Sequence, residues 1–161
     1  MVALTAATWM NLGKGGGGKV NGTFYSATAC ILEALSLNET SAEPWNLLGL
    51  LGGGTVNGIM FSEKECYIRS LLLNETSPDA WNNVGSLGGG EVRGRFYTEL
   101  ECLEKALSLS RKREKKNAIT WTNVGLFGGG NVNGKLYSKK ECFQEALSMD
   151  STCAAAWFLL G

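Results

Sequence analysis

Histidine is absent from this 161-residue chain. With it go the commonest general base near neutral pH and the commonest metal-ligating side chain. A cysteine nucleophile here lacks its usual activator. No catalytic constellation is visible, so neither enzymatic activity nor a cofactor is expected. Net charge is also missing, with 15 basic and 15 acidic side chains. Nucleic-acid binding needs a basic surface to displace counterions, so no nucleic-acid partner is expected. No apolar run reaches the roughly 20 residues of a membrane span, and no membrane partner is expected. The opening "MVALTAATWM" lacks a basic leader region, so no signal peptide is read.

Glycine, by contrast, is plentiful, with 22 copies. Its placement becomes clear only against a repeat. Trp9, Trp45, Trp81, Trp121 and Trp157 are spaced by 36, 36, 40 and 36 residues. Such a period marks stacked supersecondary repeats. Four full repeats follow, about 7–42, 43–78, 79–118 and 119–154, with a partial fifth at 155–161. The whole array reads as one domain.

The repeat disposes of one tempting motif. Gly13, then Gly18 and Lys19, match most of a G-x-x-x-x-G-K phosphate loop. The slot of Lys19 holds Thr55, Glu91 and Asn131 elsewhere, and Val20 stands where such a loop needs Ser or Thr. The triple glycine recurs and the lysine does not, so the glycines are read as structure.

Local signals give each repeat two helices. Trp45, Leu48 and Leu51 lie on one helical face. Ser77, Pro78 and Asp79 form a helix start, and glycines end this first helix after about ten residues. Ser62-x-x-Glu65, Thr98-x-x-Glu101 and Ser138-x-x-Glu141 are capping boxes for the second helix; Ser26 with Ala29 is an incomplete one. Tyr25, Phe61, Tyr97 and Tyr137 precede the caps, and Cys30, Cys66, Cys102 and Cys142 sit four residues in, the spacing of a hydrophobic staple. Between the helices, Val-Asn-Gly or Val-Arg-Gly predicts a small β-hairpin or tight turn. Two strands per repeat match the roughly 10 Å rise of packed helices, so the hairpins either align as one narrow sheet or stay separate.

Trp81, Asn83, Val84 and Gly85 at the start of a repeat, with Leu103, Ala106 and Leu107 at its end, resemble the tetratricopeptide repeat. A more distant resemblance is to Sel1-like repeats. The period is two residues longer than that family's roughly 34, with Gly-Gly-Gly between the helices. The resemblance implies a mainly α fold, a right-handed α-solenoid of helix pairs that binds proteins or peptides. Its first helices would line the concave face, where Asn11, Asn46, Asn82, Asn83, Thr122 and Asn123 would offer polar contacts. The basic clamp by which some members hold a C-terminal carboxylate is absent: its slots hold Met10, Asn46, Asn82 and Thr122, with Lys14, Leu50, Ser86 and Leu126 one turn on.

Three further features call for a reading. Asn21, Asn38 and Asn74 open Asn-x-Thr sequons, candidate glycosylation sites if the chain is secreted. The cysteine ladder instead suits a reducing, cytoplasmic compartment, because ladder neighbours about a repeat apart cannot form disulfides or share a metal. "SRKREKKN", residues 110–117, is a basic insertion read as a solvated loop or helix extension. Apolar Trp157, Phe158, Leu159 and Leu160 end the sequence without a polar cap. That suggests an alternative role, a structural segment of a longer array or of a filament made by end-to-end stacking with further copies.

Overall fold

The computed structural model describes residues 4–110 and 114–161. It is mainly helical, with small antiparallel hairpins. The chain divides into two compact halves, Met1–Glu75 and Thr76–Gly161.

The N-terminal half contains two helix–hairpin–helix modules. The first is α1 (Ala6–Lys14), β1 (Gly17–Val20), β2 (Thr23–Ser26) and α2 (Ala27–Leu37). The second is α3 (Ala42–Leu50), β3 (Gly53–Val56), β4 (Ile59–Ser62) and α4 (Glu63–Leu73). Two more make up the C-terminal half: α5 (Pro78–Ser86), β5 (Gly90–Val92), β6 (Arg95–Tyr97) and α6 (Glu99–Leu109), then α7 (Asn117–Leu126), β7 (Gly129–Val132), β8 (Lys135–Ser138) and α8 (Lys139–Met149). A short α9 (Ala154–Leu160) follows.

Helices of nine or ten residues are marginal alone, so α1, α3, α5 and α7 depend on the second helix of their own module, against which each packs. The start signals are realised. Ser62, Thr98 and Ser138 each accept the N3 amide while Glu65, Glu101 and Glu141 reach back to the cap. Those bonds hold all three carboxyls below their usual range. Their stabilisation is therefore present above that range and fades as pH falls through it. Ser26 makes only the forward half of the box.

The turns are two-residue hairpins with both central residues at positive φ, as in Asn57 (48°) and Gly58 (80°). That is the turn that follows the strands' own twist. Arg93 (53°) occupies the same place without asparagine's tolerance for it.

The aromatic before a cap shares a core cluster with the cysteine four residues in, as Tyr25 does with Cys30 and Phe61 with Cys66, and its ring also lies edge-on to the tryptophan of its own module. The pairs are Trp9–Tyr25, Trp45–Phe61, Trp81–Tyr97 and Trp121–Tyr137, with centroids 4.7–4.8 Å apart. Edge-on packing sets a positive ring edge against a negative face. Two of the cysteines also bond the aromatic's carbonyl: the thiols of Cys30 and Cys102 donate to Tyr25 O and Tyr97 O at 3.8 and 3.9 Å.

The hairpins stay separate, four two-stranded sheets among the described residues. The second hairpin of each half is flanked by a helix of the preceding module. Within the N-terminal half α2 packs against β3, and within the C-terminal half α6 packs against β7.

Candidate functional site

Strand alternation decides what each hairpin shows to solvent. Val56, Val92 and Val132 are buried, and the ring-paired aromatics turn inward with them. The next residue pair along each ladder must then face away. These pairs are Lys19 with Phe24, Thr55 with Met60, Glu91 with Phe96, and Asn131 with Leu136. Phe24 is 65% exposed, Met60 70%, Phe96 61% and Leu136 76%. Every repeat thus presents one large apolar side chain at the same outward position. Scattered exposed apolar residues need no explanation, but a periodic set does. The sequence held the signal: a second apolar residue directly before each inward aromatic breaks the alternation of a half-buried strand.

Cations frame two of these positions. The Arg95 guanidinium lies 4.5 Å from the Tyr97 ring centroid and bonds Glu101 Oε1 at 2.8 Å. The Lys135 ammonium lies 4.3 Å from the Tyr137 centroid. In the C-terminal half a groove of about 560 Å³ runs beside the last hairpin. Leu100, Phe127 and Leu136 form apolar walls, Gly128, Gly129 and Gly130 line it with backbone, and Glu104 and Glu141 are its carboxylates. Glu104 reaches across from α6 to accept the Asn131 amide.

The residues expected to meet a partner are placed unevenly. Asn11 is exposed. Asn46 and Asn83 are half-buried and already engaged. Asn82 accepts from the Thr120 hydroxyl at 2.8 Å. Thr122 is buried and donates to Ala118 O at 2.8 Å, so its hydroxyl serves its own helix. Asn123 lines a hollow of about 340 Å³ with Ser86, Glu99, Leu126 and Phe127. In α9, Trp157 and Phe158 are exposed, whereas Leu159 and Leu160 pack on the core of the C-terminal half.

The sequons have a local structural use. Asn38 Oδ1 accepts the Thr40 amide at 3.0 Å and its hydroxyl at 2.7 Å, closing the turn after α2. Asp150 and Thr152 make the same turn after α8, at 3.0 and 2.6 Å. An acceptor two residues before a threonine is what this turn requires. Asn74 is the residue that ends α4, its backbone amide donating to Ser70 O, and Asn21 is a hairpin-turn residue.

Of the basic insertion, Arg111, Lys112 and Arg113 lie outside the described residues. Lys115 pairs with Asp150 at 3.4 Å, and Lys116 with Asp79 at 2.9 Å. Among the described residues no group of three or more His, Cys, Asp or Glu side chains is placed to hold a metal. None of their helices is long and apolar enough to cross a membrane.

Cys30, Cys66, Cys102 and Cys142 are buried, while Cys153 is half-buried. Burial pushes the thiols of Cys66 and Cys142 up to about 11 and that of Cys30 upward. Thiolate is the reactive form. Iodoacetamide at neutral pH is therefore expected to alkylate Cys153 first, the other four reacting only after urea is added. Mass spectrometry of a timed quench reads the order, and early labelling of Cys66 would contradict the packing.

No family model matches the chain, and no curated protein matches it.

Proposed function

We propose that the chain is a non-enzymatic repeat scaffold, a tetratricopeptide-like α-solenoid with a hairpin between the helices of each repeat. Its work is to bind a protein or peptide partner. The single observation that supports this best is the outward apolar residue on every hairpin, Phe24, Met60, Phe96 and Leu136. A side chain that contributes nothing to its own core, yet stays apolar in four repeats, suits a surface that meets another molecule. The interface therefore lies on the hairpins rather than on the asparagines of the first helices, where Asn82 and Thr122 serve internal bonds.

The test is a chain with all four residues changed to serine. Circular dichroism and Tm are expected to stay near the parent's, because the replaced side chains are mostly exposed. Proteins cross-linked by the parent in its own cell extract should be lost from the variant. Retention of the same set would remove the hairpins from the interface.

A second reading is association of copies, favoured by Phe158 at 85% and Trp157 at 59% exposure. Light scattering over a hundredfold range of concentration separates the two. A mass that stays at the monomer's 17.2 kDa leaves the scaffold reading; a rising mass that Phe158→Ser abolishes supports association.

A further inference from the structure

The groove beside the last hairpin has a more specific chemistry than the exposed apolar row. We propose that it takes the side chain of an arginine from a partner peptide; the proposal rests on the binding role argued above. Three observations meet here.

The first is charge. Glu104 and Glu141 line the groove, and no Lys or Arg lines it with them. Each carboxylate is fixed through one oxygen. Glu104 Oε1 accepts the Asn131 amide, and Glu141 Oε2 accepts the amide and hydroxyl of Ser138 at 2.8 and 2.7 Å. Among the described residues, no hydrogen bond or ion pair reaches the other oxygen of either. Two carboxylates held in place with one acceptor free suit a multidentate cation.

The second is shape. Leu100, Phe127 and Leu136 give the groove apolar walls. A guest with a hydrocarbon stem and a charged end satisfies walls and carboxylates together.

The third is a precedent inside the molecule. Glu101 stands in the repeat position of Glu141, and its free oxygen is filled by the Arg95 guanidinium at 2.8 Å. That guanidinium also covers the Tyr97 ring. In the next repeat Lys135 replaces Arg95; its ammonium lies over Tyr137 and its charge helps to lower the Glu141 carboxyl, but among the described residues it makes no ion pair with Glu141. The slot that one repeat fills from its own chain is left open in the other. Guanidinium is favoured over ammonium because its planar fork reaches two acceptors and sheds water more easily.

The probe is acetyl-Leu-Arg-Leu-amide, titrated into the full ¹⁵N-labelled chain. Amide shifts are expected at Gly128, Gly129, Gly130, Asn131 and Ser138. Replacing the arginine by citrulline, its neutral isostere, should weaken binding about tenfold, and Glu104→Gln should weaken it about fivefold. Should Glu104→Gln disturb the fold, Phe127→Ser provides a second variant, with the same loss expected. Equal binding of the citrulline peptide, shifts confined to other residues, or no binding at all would overturn the proposal. Leu136 walls this groove as well as belonging to the outward row, so the row is also tested with Phe24, Met60 and Phe96 alone changed to serine; that variant leaves the groove's lining intact, and the two ideas then fail separately.

Discussion

Gly53→Ala is expected to destabilise the N-terminal half by roughly 3 kcal/mol or more, enough to unfold it at ambient temperature if its stability is ordinary. Two costs combine at this position. Gly53 has φ of +87°, which an L-residue resists. A Cβ built there would also run into the backbone where the hairpin returns, with the Ser62 carbonyl carbon 2.9 Å away and the Phe61 oxygen nearer still. Backbone cannot step aside without breaking the Gly53–Ser62 pairing and the cap that Ser62 forms. Gly52→Ala is the control. Its φ of +91° is equally unfavourable, but no atom lies within 4 Å of the added Cβ. It should cost only about 1 kcal/mol. Urea denaturation of both variants reads the difference, and similar midpoints would refute the steric part.

The second large effect is expected at Trp45. This side chain is fully buried, pairs with Phe61 at 4.8 Å and donates its indole N–H to Glu39 O at 2.8 Å. Trp45→Ala should cost about 3–5 kcal/mol, from the cavity and the abandoned contacts. Trp45→Phe keeps an aromatic partner for Phe61 but leaves the Glu39 carbonyl without its donor, and should recover about half of the loss. Thermal melts followed by circular dichroism order the three chains. An alanine variant as stable as the phenylalanine one would show that the ring pair contributes little.

How much of this was legible in the sequence depends on how far each interaction reaches. Capping boxes, the Asn-Gly turns and glycine helix stops act over three or four residues, so Ser62, Glu65 and Asn57 announced them. The Trp45–Phe61 pair spans the whole hairpin, beyond the reach of the local spacing that ties Phe61 to Cys66. Gly53 was read as a helix stop because a helix precedes it; the strand return that forbids a side chain there is a tertiary fact. The turn made by Asn38 and Thr40 was legible but hidden behind a familiar sequon. Asp150 and Thr152 in the same slot gave the clue, since aspartate shares asparagine's acceptor and not its amide. The groove was out of reach, for Glu104 and Asn131 meet only once α6 packs against β7.

The ring pairs also make the protein its own spectroscopic reporter. Trp45 and Trp81 are shut away from water, Trp9 and Trp121 nearly so, and Trp157 alone is open. Each indole marks one repeat. With one tryptophan at a time replaced by phenylalanine, the difference between parent and variant emission isolates the signal of the replaced repeat. Whether the repeats fold singly or together then becomes a question of colour.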